Sequence, residues 1–271
     1  MASRMRFGLL AVMTLVLTAP MFGQGAQVPD LKAAAYDVVT VKPHKPGDGS
    51  TSISIDDDIY RASNVSLKML IRYAYDLKTE DQITVTESWA GANRYDVQAK
   101  IDPETMAAMK GLKDEERDKI GQAMMQAMLA ERFHLKVHHE TKELPIYALV
   151  VAKSGLKLKT SSPENEKDGS MNSNNQHLTA TGIGMDGLSG YLSQRLHRMV
   201  QDKTGLTGKY DFTLEWAPDE AAGEASAAAA GASPLPSLMT AVEEQLGLRL
   251  ETAKGPVDLV VVEGAELPTV D

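Results

Sequence analysis

The sequence predicts an α+β protein of two similar β-rich units with packed helices, an internal duplication whose sheets are mixed or mainly antiparallel. Three observations predict it. Strand-like runs at 36–42, 147–153 and 257–263 are β-branched and nearly continuously apolar, as a buried central strand is. The blocks between them can be laid over one another in order: Ala62 to Ala74 on Ala180 to Leu192, Gly91 to Val97 on Leu206 to Phe212, and Met128 to Val137 on Ala241 to Leu250. The offsets between matched positions are 118, 115 and 113, and 110 for the last pair of strands. Such a smooth drift is what small loop insertions produce, and a period of this size points to a repeated unit.

The elements follow in chain order. Arg4 and Arg6 precede an apolar run from Phe7 to Phe22, broken only by Gly8, Thr14, Thr18 and Pro20. This is the order of a secretory signal peptide, and the small residues near Gly25 place the cut there. Residues 1–25 are therefore read as a signal peptide and the protein as exported, to the periplasm or beyond the cell. The run of sixteen residues falls short of the ~20 that span a bilayer, and Pro20 would disturb a helix. No later segment is apolar enough to span.

The first unit covers 36–153. After its opening strand, Pro43 to Ser52 reads as a turn-rich connection and Asp56-Asp57-Asp58 as a hairpin tip. A calcium loop would need alternating oxygens, a central glycine and a late glutamate, and Ile59-Tyr60-Arg61 supplies none of them. Ser66 caps an amphipathic helix, and Asp186 is its expected counterpart in the second unit. Arg94-Tyr95-Asp96-Val97 and Lys209-Tyr210-Asp211-Phe212 each lead from a turn into an alternating strand. A helix ending near Arg132 runs into a short alternating strand, followed by a hairpin into 147–153. Residues 161–176 are polar and read as a flexible loop. The second unit covers 177–266, with a mobile Ala/Gly/Pro-rich insertion at 217–236.

Composition narrows function. The chain has no cysteine, which removes disulfides, thiolate metal sites and cysteine nucleophiles. Loss of Arg4 and Arg6 with the leader leaves 26 cations against 37 acids and moves the formal charge from −9 to −11. An acidic surface disfavours nucleic acid and anionic lipid.

Candidate chemistry is sparse. Ser154-Gly155-Leu156-Lys157, Ser173-Asn174-Asn175 and Lys203-Thr204-Gly205 imitate the motifs of penicillin-binding proteins. That mechanism needs the serine to open a helix, whereas Ser154 follows a strand and all three fragments fall within about fifty residues. Asp202-Lys203-Thr204-Gly205 also matches the phosphorylation motif of cation-pumping ATPases, but as a polar turn it needs no such chemistry. No G-x-x-x-x-G-K-[ST] loop is present, and no cofactor is expected. His134, His138, His139 and Glu140 are the densest set of potential metal ligands, yet Lys136 between the first two would repel a cation, so no metal site is expected. His44 and His177 fall in predicted loops, and His197 on a helix. Tyr95-Asp96 and Tyr210-Asp211 read as structural, with the tyrosines packed beneath the helices. No catalytic residue and no oligomeric state is legible.

Several blocks together resemble a known family: Val38 to Pro43, Leu67 to Ile71, Ala130 to Phe133, Thr141 to Val150, and Asp202 to Gly208 with Tyr210-Asp211-Phe212. They are similar to the soil-associated protein family, abundant in soil acidobacteria and classed as a domain of unknown function. The resemblance implies an exported protein. It also implies a domain sometimes joined to membrane metallopeptidase-like sensors, whose H-E-x-x-H motif is absent here. Leu238 to Val262 is similar to the short N-terminal domain of secretins and TonB-dependent receptors, which docks partners in the envelope. That likeness is one of fold and licenses no function.

The expected role is a non-catalytic binding or interaction module of the cell envelope, recognising an envelope protein or a small ligand. Two other classes compete with it. A secreted hydrolase of envelope or environmental polymers would use Asp96, Asp211 or Glu215 as its acid pair, at a defined separation. An extracytoplasmic ligand sensor would show a deep apolar pocket.

Overall fold

The computed structural model describes residues 35–45, 47, 49–56, 58–166, 169–217 and 235–268. The predicted leader at 1–25, and the predicted insertion apart from Ala217, Leu235 and Pro236, lie outside the described residues. In the first half the order is β1 (Tyr36–Pro43), β2 (Ser52–Asp56), β3 (Ile59–Val65), α1 (Leu67–Ala74), a 3-10 turn (Glu80–Gln82), β4 (Ile83–Thr84), α2 (Trp89–Ala92), β5 (Tyr95–Ile101), α3 (Pro103–Met109), α4 (Asp114–Arg132) and β6 (Lys136–Val151). The second half adds β7 (Lys159–Thr160), β8 (Ser170–Ser173), β9 (His177–Ile183), α5 (Met185–Leu196), β10 (Val200–Asp202), β11 (Tyr210–Glu215), α6 (Leu238–Ala241) with a π turn (Val242–Leu246), and β12 (Leu248–Gly264).

These strands form three four-stranded sheets, ordered β1-β5-β3-β2, β10-β6-β12-β4 and β7-β11-β9-β8. The first and third are antiparallel throughout. The middle sheet is mixed: β6 and β12 pair antiparallel along their length, while β10 runs parallel to β6 and β4 parallel to β12. The protein is α+β with mainly antiparallel sheets.

Local sequence explains most elements. The Ser66 hydroxyl accepts the Met69 N–H at 3.2 Å, satisfying one of the donors a helix start leaves open. Leu67, Leu70, Ile71 and Ala74 then fall on one face of α1 and are buried. In α4, Asp114, Glu115 and Glu116 stand in the first turn, where the helix dipole favours acids. Its buried stripe is Ile120, Gly121, Met124, Met125, Met128 and Leu129. Arg132 Nη2 donates to Val39 O at 2.6 Å and Gln126 Nε2 to Ala74 O at 2.8 Å, tying α4 to β1 and α1.

Two main cores result, and each takes residues from the other half of the chain. The first packs α1, α4 and the first sheet, with Val260 and Val262 of β12. The second packs α5, α6 and the third sheet around Trp216, with Leu149 of β6. The β6–β12 ribbon is therefore the hinge of the architecture: its two long strands serve both cores.

Five expectations are corrected. β1, read as a buried central strand, is a sheet edge, and Val38 is 58 % exposed; a run of valines looks the same whether one face or both are covered. The hairpins expected before 147–153 and 257–263 do not form, because β6 and β12 are each one continuous strand. Pro145 and Pro256 lie within these strands. They lie where the ribbon is two strands wide, since β10 pairs only from Tyr147 and β4 only at Val260 and Val261, so a missing N–H costs little there. Within the predicted loop 161–176, Ser170–Ser173 is the edge strand β8, its polar side chains facing outward while its backbone pairs with β9. Gly184, not Asp186, caps α5, and Asp186 stands in the first turn. His177, placed in a loop, opens β9.

Candidate functional site

The acids singled out by sequence are held by the fold in structural roles. Asp96 Oδ1 accepts Ser63 Oγ at 2.7 Å and Asn64 N at 3.1 Å, and pairs with His44 Nδ1 at 2.8 Å. Desolvation works against its charge, but these hydrogen bonds outweigh it and hold the carboxyl below its usual range. Serine, aspartate and histidine meet here in the wrong order for a catalytic triad: Ser63 donates to the Asp96 carboxylate, not to the imidazole. Asp211 is arranged alike. Ser161 Oγ at 2.5 Å and Gly182 N at 2.8 Å reach its Oδ1, and Asn165 Nδ2 reaches its Oδ2 at 3.0 Å. The Ser161 hydroxyl, then the Gly182 N–H, lower its pKa. Tyr95 and Tyr210 are buried beside these acids, Tyr95 edge-on to Phe133. Asp96 and Asp211 lie in different sheets, and Glu215 pairs its backbone with Gln245 at the end of β11.

The other motifs also resolve into structure. Ser154 follows β6 without opening a helix, and Lys157 Nζ donates to Glu244 O at 2.6 Å. Asp202 Oδ1 accepts both Thr204 N, at 2.8 Å, and Thr204 Oγ1, at 2.7 Å, closing a polar turn. His138 is exposed between Glu140 and Glu263, at 3.2 and 2.9 Å. Hydrogen bonds to Glu140 and then Glu263 push its pKa above the usual imidazole value.

Sequence reasoning passes over Gly182-Ile183-Gly184-Met185-Asp186-Gly187, which has the spacing of a dinucleotide-binding loop and lies between a strand and a helix. The fold gives it another meaning. That loop works between parallel strands of one sheet, whereas β9 belongs to an antiparallel sheet and β10 to a different one. Gly182 has φ +65°, and a Cβ there would run into the Asn165 carbonyl. Its role is the bulge held by Asp211.

A cavity of about 790 Å³ lies between the first sheet and the helices α1, α3 and α4. Its wall is a row of three tyrosines, from β1, β3 and α1. Tyr36 and Tyr60 have ring centroids 6.3 Å apart, and Tyr60 and Tyr73 6.0 Å. Ile101 of β5 and Met124 of α4 extend this apolar surface, and Met106 and Met109 of α3 face it from the other side. No residue of α3 is fully buried, so this wall is lightly attached, and methionine fits irregular shapes readily. Charges stand at the rim: Lys110, Asp118, and Asp114 paired with Arg117. Partial desolvation, then Asp114 and Asp76, raise the Asp118 pKa. Gly121 leaves room for Tyr73, whose hydroxyl would stand 3.2 Å from a Cβ.

Within the wall, Tyr60 is 1 % exposed and its hydroxyl has no hydrogen-bond partner among the described residues. Burial raises the pKa of Tyr60 and Tyr36 well above the usual phenol range. Such a group is an unused buried donor.

Residues 68–265 match the family described as "Protein of unknown function (DUF3738)", and the chain belongs to that family. No curated protein and no solved structure matches the chain.

Proposed function

We propose that this protein is an exported, non-catalytic binding module whose ligand is a small molecule seated in the tyrosine-lined cavity. The observation that carries this reading is the cavity itself: about 790 Å³, within the ~300–1,000 Å³ of small-molecule sites, mostly apolar, with few convergent polar groups. Export rests on the leader pattern of residues 1–25, and the resemblance to the soil-associated proteins agrees with it. The hydrolase reading gains nothing from Asp96 and Asp211, whose hydrogen-bonding capacity goes to neighbouring backbone and side chains. We also read the two halves as copies of one unit. In support, β4 and β10 each pair parallel to the long strand of the other half, and Asp96 and Asp211 hold equivalent bulges.

The test is binding of N-phenyl-1-naphthylamine, whose fluorescence rises in apolar surroundings. Saturable binding at micromolar concentration is expected. Ala107→Trp, which places an indole at the mouth from an exposed position of α3, should weaken it at least tenfold with little change in thermal stability. Unsaturable binding, or binding indifferent to Ala107→Trp, rejects the reading.

A second reading, docking of an envelope protein, draws on the edge strand β2, where Ile53 and Ile55 are exposed. It predicts association that sedimentation detects and that Ile53→Lys abolishes.

A further inference from the structure

We infer that the cavity takes an apolar organic cation, and that the Asp118 carboxylate at its rim pairs with the ligand's charged nitrogen. This rests on the cavity being a ligand site at all. Asp114, Arg117, Asp118, Gly121 and Met124 all line the cavity, and their spacing places them along one face of α4. That face runs from charge to apolar surface: Asp114, Arg117 and Asp118 are exposed, whereas Gly121 and Met124 are buried. Asp114 and Arg117 pair with each other. Asp118 has no hydrogen bond and no ion pair among the described residues, and its exposure leaves it within reach of a molecule at the mouth.

The sign of the ligand's charge follows from the groups around Asp118. The carboxylate is partly desolvated and stands in the field of Asp114 and then Asp76, while Arg117 offsets this least. A ligand ammonium group relieves that repulsion and gains a charge-assisted hydrogen bond, whereas an anion adds to it. The wall agrees. The Tyr73 hydroxyl lies over Gly121, 3.2 Å from where a Cβ would stand and one helical turn from Asp118. Tyr73 and Tyr36 are both half-buried and line the cavity, and the face of a tyrosine ring attracts a cation within ~6 Å. Met106 and Met109, partly buried on the other side, meet the apolar body of such a ligand. Lys110, the remaining charge of the lining, is exposed at the end of α3, where water solvates it on a flexible stem. The excess of 37 acids over 28 bases in the chain draws cations towards the protein in the same sense.

The experiment uses 1-naphthylmethylamine, 1-naphthylmethanol and 1-naphthoate, which carry a cation, a neutral hydroxyl and an anion on one ring system. Each competes at pH 7 against N-phenyl-1-naphthylamine on the purified full chain and on Asp118→Asn. The wild-type chain should prefer the amine to the alcohol by about fivefold, the scale of one partly exposed ion pair, and should bind the carboxylate most weakly. Asp118→Asn should bring the Kd values of amine and alcohol close together, and high salt should narrow the wild-type difference. The variant is nearly isosteric and removes a charge that its neighbours disfavour, so it should fold, which circular dichroism checks. Equal affinities for amine and alcohol, a preference that survives Asp118→Asn, or tightest binding of the carboxylate overturns the assignment while leaving the cavity as a ligand site. If the dye itself does not bind, the ligand-site reading falls as well.

Discussion

The Asp211 carboxylate accepts the backbone N–H of Gly182 at 2.8 Å and thereby holds β9 in a left-handed bulge, three residues before α5 begins. Asp96 does the same for Asn64, at 3.1 Å, ahead of α1. In each case an acid on a neighbouring strand sets the angle at which a helix leaves its sheet, which is why Tyr-Asp recurs where it does.

The two bulges differ in what they tolerate. Asn64 has φ 57° with room for its side chain, whereas Gly182 combines φ 65° with the Asn165 carbonyl lying against the missing Cβ. Gly182→Ala should cost roughly 1–3 kcal/mol in urea unfolding. Asn64→Gly should stay within about 1 kcal/mol of wild type, since relief of the left-handed backbone offsets its exposed side-chain bonds to Gly49 and Ser50. A Gly182→Ala protein as stable as wild type would remove the argument.

Acid should loosen both bulges. The folded-state pKa of Asp211 and of Asp96 is lowered. Their contribution to stability is therefore present above the unfolded carboxyl value of about 3.9 and is lost as pH falls through the folded value. Asp211→Asn should be less stable than wild type at pH 7, with the gap closing towards pH 3. An equal gap at both pH values, measured by urea unfolding, contradicts this.

His138 titrates in the opposite sense. Its pKa is raised by Glu140 and Glu263, so whatever stability it adds is present below the unfolded value of about 6.5 and lost as pH rises through the folded one. An NMR titration should place its midpoint above that value, and Glu140→Gln and Glu263→Gln should each lower it. Both shifts should shrink in 1 M salt, because the site is exposed.

Trp216 is fully buried in the second core, edge-on to Tyr191 and beneath Arg195. Trp216→Ala should cost about 3–5 kcal/mol. Trp216→Phe should cost much less, because the indole N–H it removes is buried with no partner among the described residues. Calorimetry of the two variants distinguishes them; equal losses would mean that the indole N–H is satisfied.

Some of this could be read directly. The Ser66 cap and the stripe Leu67, Leu70, Ile71, Ala74 are patterns within nine residues, and α1 follows them. The alternation Tyr95, Val97, Ala99, Ile101 states which side of β5 is buried. The candidate site was not legible. Its tyrosines come from β1, β3 and α1 and its methionines from α3 and α4, and each looks locally like a core residue. A cavity is a failure of such residues to meet, and that is a property of packing between elements.

The same division holds for the whole chain. Without cysteine, with many more acids than bases and with alternating helix and strand periods, the sequence by itself determined an α+β protein stabilised by packing, because composition and periodicity act locally. Only the tertiary structure decided that Pro145 and Pro256 sit inside two long strands and that Val38 lies on an edge. It also decided that Tyr60 is buried with a hydroxyl that has no partner among the described residues. Each depends on which distant segment comes to lie alongside, and no local pattern carries that information.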